Sequence, residues 1–215
     1  MNDIMSEAYF VTGIGTDIGK SWATGWLANR LSAEGKSVIT QKFIQTGNHD
    51  MSEDILLHRK IMNIPLTPED EAHITAPVIF SYPASPHLAA RIDNREIPFD
   101  KIDEATETLR KRYDTVLIEG AGGLMVPLCG DYLTIDYIAE RRLPVVLVTN
   151  GRLGSISDTL LALRAIKDYG IALHSVVYNP YFDSTDAIVS ADSREYMRDY
   201  VSRHFPEAQW MEMEK

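Results

Sequence analysis

The segment "GIGTDIGKS" (13–21) contains the residue types that hold the phosphates of a nucleotide. Such a loop needs backbone N–H groups that converge at the start of a helix, a lysine for the β- and γ-phosphates, and a hydroxyl for Mg²⁺. Gly19, Lys20 and Ser21 supply these three elements. The chemistry that they indicate is phosphate binding or phosphoryl transfer, and a glycine-rich turn with a solvated lysine is the alternative.

The spacing of this loop departs from the common pattern G-x-x-x-x-G-K-[ST]. That pattern would place its first glycine at Ile14, whereas the chain has it one residue earlier, at Gly13. The surroundings nevertheless favour phosphate binding, because the apolar run "YFVT" (9–12) precedes the loop and the amphipathic "SWATGWLANRL" (21–31) follows it. A strand, a glycine loop and a helix in this order are the setting that a phosphate loop requires.

A carboxylate at the end of a second apolar run is suited to the metal of a nucleotide site. Glu119 has this position in "TVLIEGAGG" (115–123), and the glycines after it allow a backbone to approach phosphates closely. Mg²⁺ prefers oxygen ligands of this kind. A glutamate that ends a strand before an ordinary turn is the alternative, but together with Lys20 the pattern favours a nucleotide site.

A second lysine, Lys42, ends the apolar run "SVITQKF" (37–43). Ligands of parallel sheets bind beyond the carboxyl ends of the strands, so we expect Lys42 to converge with Lys20 and Glu119 on one crevice. A solvated lysine at a strand end is the alternative. Asp54 opens a predicted helix, where a carboxylate is also favoured by the helix dipole alone.

Short apolar runs rich in β-branched residues alternate with helical patterns along the chain. The predicted strands are 9–12, 37–43, 115–119, 144–149 and 174–179. The predicted helices are 19–34, 52–62, 100–112, 155–169 and 191–204, with Ser155 and Asp192 as N-cap starts of the last two. Continuously apolar strands are buried on both faces, which predicts an α/β fold with a mainly parallel sheet between two layers of helices. The length of 215 residues predicts one domain, 1–215.

Two stretches fall outside this alternation. Half of the ten prolines lie between Pro65 and Pro86, which predicts a long, stiffened excursion from the repeating pattern and not a linker between domains. After the last predicted helix only "PEAQWMEMEK" (206–215) remains. It has no apolar run long enough to predict another strand.

Charge and composition exclude several classes of function. The chain has 31 acidic and 21 basic residues, a formal charge of −10, which disfavours a nucleic-acid partner. The acidic N-terminus does not resemble a signal peptide, and the longest apolar runs, such as "LPVVLVT" (143–149), are strand-sized, so we expect no membrane segment. The single cysteine, Cys129, cannot build a disulfide framework, and the six histidines lack metal-ligand spacing. These features predict a cytoplasmic protein.

The loop and the segments after it resemble dethiobiotin synthetases, the ATP-dependent carboxylases that close the ureido ring in biotin synthesis. "TGIGTDIGKS" (12–21) is similar to the family's T-G-T-D-T-x-x-G-K-T, including the extra residue, and Lys42 with Thr46-Gly47 is similar to its K-P-x-x-[ST]-G. Further similar segments, in the right order, are "SEDILL" (52–57), "PASPHLAAR" (83–91), "EGAGGLMVPL" (119–128) and "NGRLGSISDTLL" (150–161). Phe43 replaces the family's usual proline, and relatives commonly continue beyond the last helix through another strand and a base-binding segment.

The resemblance implies a three-layer P-loop NTPase fold and a specific reaction. In that reaction 7,8-diaminononanoate, CO₂ and ATP, with Mg²⁺ as cofactor, give dethiobiotin, ADP and phosphate through a carbamate and its mixed anhydride with phosphate. The resemblance also implies a homodimer with composite active sites.

The site residues that the resemblance implies fall into four groups. The catalytic residues are Lys42 and Lys20, and the metal ligands are Ser21, Asp54 and Glu119. The ATP-binding residues are Asp17, Ile18, Gly19, Lys20, Ser21, Trp22, Asp54, Glu119, Gly120, Ala121, Gly122 and Asn179, the last of which would read the adenine edge. The substrate-binding residues are Thr16, Thr46, Leu153, Gly154 and Ser155, the last three through free N–H groups at a helix start contributed by the partner subunit.

A related P-loop ATPase of the partitioning or positioning type is the alternative function. Such proteins normally carry a second lysine inside the loop, where this chain has Gly15 and Thr16. Many have a basic DNA-binding face or a membrane-seeking terminal helix, and the acidic C-terminal segment is unsuited to either role. A binding module without catalysis is a third reading, and it would not need metal-binding carboxylates.

Overall fold

The computed structural model describes residues 7–214 and is organised around a six-stranded parallel sheet. The strands are β1 (Glu7–Gly13), β2 (Val38–Lys42), β3 (Gln45–Thr46), β4 (Ile79–Phe80), β5 (Thr115–Gly123), β6 (Pro127–Cys129), β7 (Tyr132–Leu133), β8 (Val145–Thr149), β9 (Leu173–Tyr178) and β10 (Gln209–Glu212). The large sheet has the order β10-β9-β8-β1-β5-β2, while β3 pairs with β4 and β6 pairs with β7 in two small sheets. All neighbours in the large sheet run parallel.

Helices connect most of the strands of the large sheet. They are α1 (Lys20–Ala33), α2 (Glu53–Met62), α3 (Pro68–Glu71), α4 (Pro86–Ile92), α5 (Phe99–Arg110), α6 (Thr134–Glu140), α7 (Ser155–Asp168) and α8 (Ala187–His204), with a 3₁₀ turn at Pro180–Phe182. None of the helices in residues 7–214 is long and apolar enough to cross a membrane.

Two apolar cores lie on opposite faces of the large sheet. In β5, Val116 and Ile118 belong to one core and Leu117 to the other, as the alternation of side chains along a strand requires. Helices α1 and α2 contribute to the core that contains Leu117, whereas α5, α6, α7 and α8 contribute to the opposite core. The predicted three-layer α/β fold with a parallel sheet is therefore confirmed.

The proline-rich excursion covers the free edge of β2. The N–H of Lys42 donates to the carbonyl of Thr75 at 2.7 Å, and the N–H of Gln45 donates to that of Val78 at 2.9 Å. Two of the prolines, Pro68 and Pro86, stand in the first turns of the short helices α3 and α4, where a missing N–H costs little. The excursion thus holds the backbone of Lys42 at the end of the edge strand β2 and pairs with β3 through β4.

The prediction that no strand follows the last helix is wrong. β10 pairs with β9, the ring of Trp210 lies 5.8 Å from that of Tyr178, and the N–H of Met213 donates to the carbonyl of Tyr178 at 3.0 Å. Only one edge of β10 needs a partner, so four residues suffice without an extended apolar run.

The predicted start of the last helix is also wrong. α8 begins at Ala187, and the side chain of Asp186 accepts hydrogen bonds from the N–H groups of Ile188 and Val189. Asp192 lies inside the helix. At α7 the N-cap is Gly154, in a left-handed conformation with φ 98°, and Ser155 is the first helical residue.

Candidate nucleotide and substrate site

The loop between β1 and α1 is shaped by left-handed backbone conformations. Asp17 has φ 55° and Gly19 has φ 83°. A Cβ atom at Gly19 would collide with the amide of Asn179 and the ring of Phe182, so only glycine fits there. No side chain caps the start of α1, which leaves the first N–H groups of the helix for an anionic ligand.

Lys20, the first residue of α1, is only 8% exposed. Its Nζ donates to the carbonyl oxygen of Gly15 at 2.8 Å, so the side chain folds back over its own loop. Burial lowers the pKa of Lys20 to about 8, against the attraction of Glu119, which raises it. Within residues 7–214 this carbonyl is the one hydrogen-bond partner of Nζ, and a buried ammonium can readily exchange such a neutral partner for a phosphate.

Three oxygen-bearing side chains from different elements meet beside the loop. Ser21 Oγ lies 2.6 Å from Asp54 Oδ1 and 2.9 Å from Glu119 Oε1. The serine hydroxyl has one proton and can donate it to only one of the two carboxylates. The serine oxygen and the other carboxylate oxygen then lie close together with no proton between them, which favours a cation at this point. Mg²⁺ prefers oxygen ligands of this kind.

Lys42 supplies a cation to the same group. Its Nζ lies 2.5 Å from Asp54 Oδ2 and 2.9 Å from Glu119 Oε1, and it donates to the carbonyl of Gly120 at 3.3 Å. Burial alone would lower the pKa of Lys42, but Glu119 and Asp54 outweigh burial and raise it. For the acidic Glu119 burial alone would raise the pKa, but Lys42 and the hydrogen bond from His58 hold this pKa well below its usual range. The site is therefore a network of paired charges.

Two clefts meet above these residues. The charged cleft has a volume of about 340 Å³ and is lined by Thr16, Asp17, Gly19, Lys20, Ser21, Lys42, Ile44, Gln45, Thr46, Asp54, Glu119, Ala121, Gly122 and Phe182. The apolar cleft has a volume of about 450 Å³ and is lined by Thr16, Thr46, Pro83, Ala84, Ser85, Pro86, Ala121, Gly122 and Val126. Thr16, Thr46, Ala121 and Gly122 line both, so the clefts adjoin. The convergence of Lys20, Lys42 and Glu119 predicted from the strand ends is thus what the geometry shows.

Four of the implied ATP-binding residues do not line the charged cleft. They are Ile18, Trp22, Gly120 and Asn179. Ile18 is buried under the loop, Trp22 is half-exposed on α1, and Gly120 offers its carbonyl to Lys42. Across residues 7–214, no cluster of three or more His, Cys, Asp or Glu side chains is placed to hold a metal by itself. A cation bound by Ser21, Asp54 and Glu119 would need further ligands from a nucleotide.

The side-chain amide of Asn179 makes hydrogen bonds from both its nitrogen and its oxygen. Its side chain is fully buried, its Nδ2 donates to the carbonyl of Ile18 at 3.2 Å, and its Oδ1 accepts from the N–H of Tyr181 at 3.1 Å. The amide therefore ties the phosphate loop to the 3₁₀ turn that follows β9. Phe182, at the end of that turn, lines the cleft and was missed in the sequence, since a phenylalanine after a proline gives no local signal of a ligand contact.

Leu153, Gly154 and Ser155 lie outside both clefts. The N–H of Ser155 donates to the carbonyl of Arg152 at 3.1 Å, so the prediction that this N–H is free is wrong. The tight turn before α7 uses that donor internally. Leu153 and Gly154 are exposed and do not contact the site of their own chain.

Comparisons with known proteins give consistent results. A family model described as an AAA domain matches residues 7–204. The ATP-dependent dethiobiotin synthetase BioD 2 of Pasteurella multocida is 48% identical over 202 residues, which are 94% of this chain and 94% of that protein. BioD 2 of Haemophilus ducreyi is 46% identical over 98% of this chain and 100% of its own, and BioD of Chlorobaculum tepidum is 45% identical over 90% and 81%.

Solved structures show a wider likeness of fold. Chloroplast FtsY from Physcomitrella patens superposes with a TM-score of 0.52 at 16% identity, over 95% of this chain and 57% of that one. The signal recognition particle receptor FtsY from Elizabethkingia anophelis in complex with GDP gives 0.50 at 13% identity, over 95% and 55%. At such identities the likeness concerns the fold alone.

Proposed function

This chain belongs to the family of ATP-dependent dethiobiotin synthetases, and on that premise we propose that the two adjoining clefts form its active site. The enzyme is an ATP-dependent cyclo-ligase. It carboxylates 7,8-diaminononanoate with CO₂ and closes the ureido ring to give dethiobiotin, ADP and phosphate. The P-loop ATPases of other function are related to it only through the fold.

The shared border of the two clefts is the observation that carries this proposal. ATP has its polyphosphate in the charged cleft, and the carbon chain of the diamine lies in the apolar cleft. Thr16 and Thr46 line both clefts, which supports the proposal that they bind the carbamate where the two substrates meet. Transfer of the γ-phosphoryl group to the carbamate of an apolar diamine needs this arrangement, because it depends mainly on positioning and charge neutralisation.

The phosphate end of ATP is bound by the loop and by Lys20. The N–H groups of residues 17–22 face the β-phosphate at the start of α1, and Lys20 exchanges the carbonyl of Gly15 for the β- and γ-phosphates. Gly120, Ala121 and Gly122 bring a second backbone segment close to the phosphates. Asn179 contributes by holding the loop, and Phe182 flanks the base.

Mg²⁺ fits the three oxygens of Ser21, Asp54 and Glu119. Oxygen ligands are the ones that Mg²⁺ prefers, and the nucleotide supplies the remaining ligands. When bound, the ion neutralises charge on the β- and γ-phosphate oxygens. The low pKa of Glu119 keeps this carboxylate ionised as a ligand at neutral pH.

Lys42 acts where the γ-phosphate of ATP meets the carbamate. One amine of the substrate attacks CO₂ and loses a proton to become the carbamate, whose oxygen then attacks the γ-phosphorus and expels ADP. The second amine attacks the carbonyl of the mixed anhydride, which expels inorganic phosphate and releases a proton. Lys42 lies at the floor of the charged cleft and stabilises the negative charge that carbamate and γ-phosphate share during transfer.

A homodimer completes the substrate site in this proposal. An apolar groove of about 550 Å³, the α7 groove, is lined by residues of α7 and of the segment 123–126, and it shares Val126 with the apolar cleft. Leu161 and Met125 in the groove are 68% and 53% exposed. A second copy that binds here covers these side chains and brings its own Leu153 and Gly154 N–H groups toward the carboxylate end of the substrate. Residues 1–215 act as one domain in the cytoplasm.

Leu161→Glu is expected to separate the dimer and to lower turnover by at least ~10-fold, because a buried unpaired carboxylate opposes association and the composite site is lost. Sedimentation velocity should give one chain mass for this variant and two for the wild type. Ile188→Glu is the matched control, since Ile188 is 81% exposed on α8, away from the groove. A wild-type monomer with full activity would refute the composite site.

Phosphate release tests the function itself. With ATP, bicarbonate and 7,8-diaminononanoate, the enzyme should release one phosphate for each dethiobiotin formed. Without the diamine, release should fall to background. Phosphate release that does not respond to the diamine would instead identify a nucleotide-driven ATPase, and ATP binding without any release would identify a binding module.

A further inference from the structure

His58 is a buried polar side chain that the proposed chemistry does not use. It lies on α2, one helical turn after Asp54, and is fully buried. Its Nε2 lies 2.7 Å from Glu119 Oε2, and its Nδ1 lies 3.0 Å from Thr40 Oγ1. The ring therefore bridges two neighbouring strands of the sheet behind the charged cleft.

The two oxygens of Glu119 face different partners. Oε1 faces Lys42 and Ser21, on the side of the cleft, whereas Oε2 faces only His58 among the hydrogen bonds and ion pairs described in residues 7–214. An ionised carboxylate only accepts hydrogen bonds, so the proton on this contact belongs to Nε2. Loss of the ring would leave a buried carboxylate oxygen without a donor and free the carboxylate to rotate.

Hydrogen bonds also fix Thr40, the residue that contacts Nδ1 of the ring. Thr40 Oγ1 accepts a hydrogen bond from Arg59 Nη1 at 2.8 Å. Arg59 is itself fixed by two hydrogen bonds of 2.7 Å to Asp70, in the excursion that covers the edge of β2. A buried polar chain thus runs from the excursion through Arg59, Thr40 and His58 to Glu119.

We propose that His58 is a positioning residue that fixes the rotation of Glu119, so that Oε1 is presented to the cation and to Lys42. The inference rests on the proposed role of Glu119 as a metal ligand. Partners of this kind behind a ligand commonly change metal affinity about 10–100-fold. A purely structural hydrogen bond would change stability without this effect on the cation.

The experiment compares His58→Leu with His58→Gln. His58→Leu removes the donor at similar volume, whereas His58→Gln keeps an N–H donor of similar reach. Titration calorimetry of Mg²⁺ into protein saturated with ADP should show an affinity about 10–100-fold lower for His58→Leu and a smaller loss for His58→Gln. The affinity for ADP in the presence of EDTA should be the same for both variants and for the wild type.

Two further variants distinguish failure of the inference about His58 from failure of the proposed metal site. Thr106→Val removes a buried hydrogen bond, from Thr106 Oγ1 to Gln41 Oε1 at 2.8 Å, outside the clefts, and controls for lost stability. Glu119→Gln tests the proposed ligand directly. If Glu119→Gln lowers Mg²⁺ affinity and His58→Leu does not, the inference about His58 is refuted while the proposed site stands. If neither variant lowers it, the metal role of Glu119 fails and the inference fails with it.

Discussion

Lys42→Ala is expected to lower turnover at saturating ATP, bicarbonate and diamine by at least ~10²-fold, which is about 2.7 kcal/mol of transition-state stabilisation. The reason is that Lys42 is the buried cation of the charged cleft that we assign to the carbamate and the γ-phosphate. The wild-type and variant enzymes should be compared by steady-state release of phosphate with all substrates saturating. ADP affinity should change by less than about tenfold, because the proposed site binds the β-phosphate through the loop and Lys20.

Lys42→Ala also removes the ion-pair partner of Asp54 and Glu119, so its effect on stability must be separated from its effect on turnover. Breaking a buried ion pair commonly costs about 3–5 kcal/mol of stability, so thermal unfolding of Lys42→Ala should be measured in parallel. Lys42→Arg keeps the charge but replaces a compact ammonium by a planar fork. We expect it to recover stability more than turnover. Near-wild-type turnover in Lys42→Ala would show that Lys42 is only a counter-ion of Glu119 and Asp54.

Lys20→Ala is expected to lower both turnover and ADP affinity by at least ~10²-fold. Opposite unit charges 4 Å apart are worth on the order of 4 kcal/mol at an effective dielectric constant near 20, so removal of this ammonium from the phosphates is costly. Calorimetric titration with ADP and the phosphate-release assay measure the two quantities. The loss of ADP affinity distinguishes the role proposed for Lys20, at the β-phosphate, from that proposed for Lys42, at the γ-phosphate and the carbamate.

Lys101→Ala provides the matched control for both lysines. Lys101 is exposed on α5 and lines neither cleft, so its replacement should leave turnover and ADP affinity unchanged. Wild-type ADP affinity in Lys20→Ala would contradict the assignment of this lysine to the phosphates and would leave it as a buried lysine that holds its own loop through the carbonyl of Gly15.

The parts of the fold that the sequence predicts are those with strong local signals. Strands buried on both faces must be continuously apolar, which is why β5 and β8 could be recognised and why the phosphate loop could be placed at the end of β1. β10 could not be recognised, because a short edge strand depends on the backbone of β9 and not on an apolar run of its own. The start of α8 was misplaced because Asp186 and Asp192 are both acceptable N-caps, and only tertiary packing decides between them.

The same distinction applies to the site. Lys42 ends β2, Glu119 lies opposite it in β5, and Lys20 begins the helix that follows β1, so the topology of a parallel sheet brings them together. His58 was overlooked, although its spacing of four residues from Asp54 places both on one face of α2. Phe182 had no such signal, since it reaches the cleft only through the turn that Asn179 holds.

The strand order has a consequence for how the chain acquires its structure. β1 lies between β5 and β8, so the first strand of the sequence pairs with residues more than 100 positions later. The conformational entropy of closing such long loops must be lost before these strands can pair and stabilise each other. Folding is therefore slower than in a helical bundle of the same size. During synthesis the apolar β1 and the phosphate loop behind it emerge long before either neighbour of β1 exists. The nascent chain must therefore carry an unpaired, aggregation-prone strand through most of its translation.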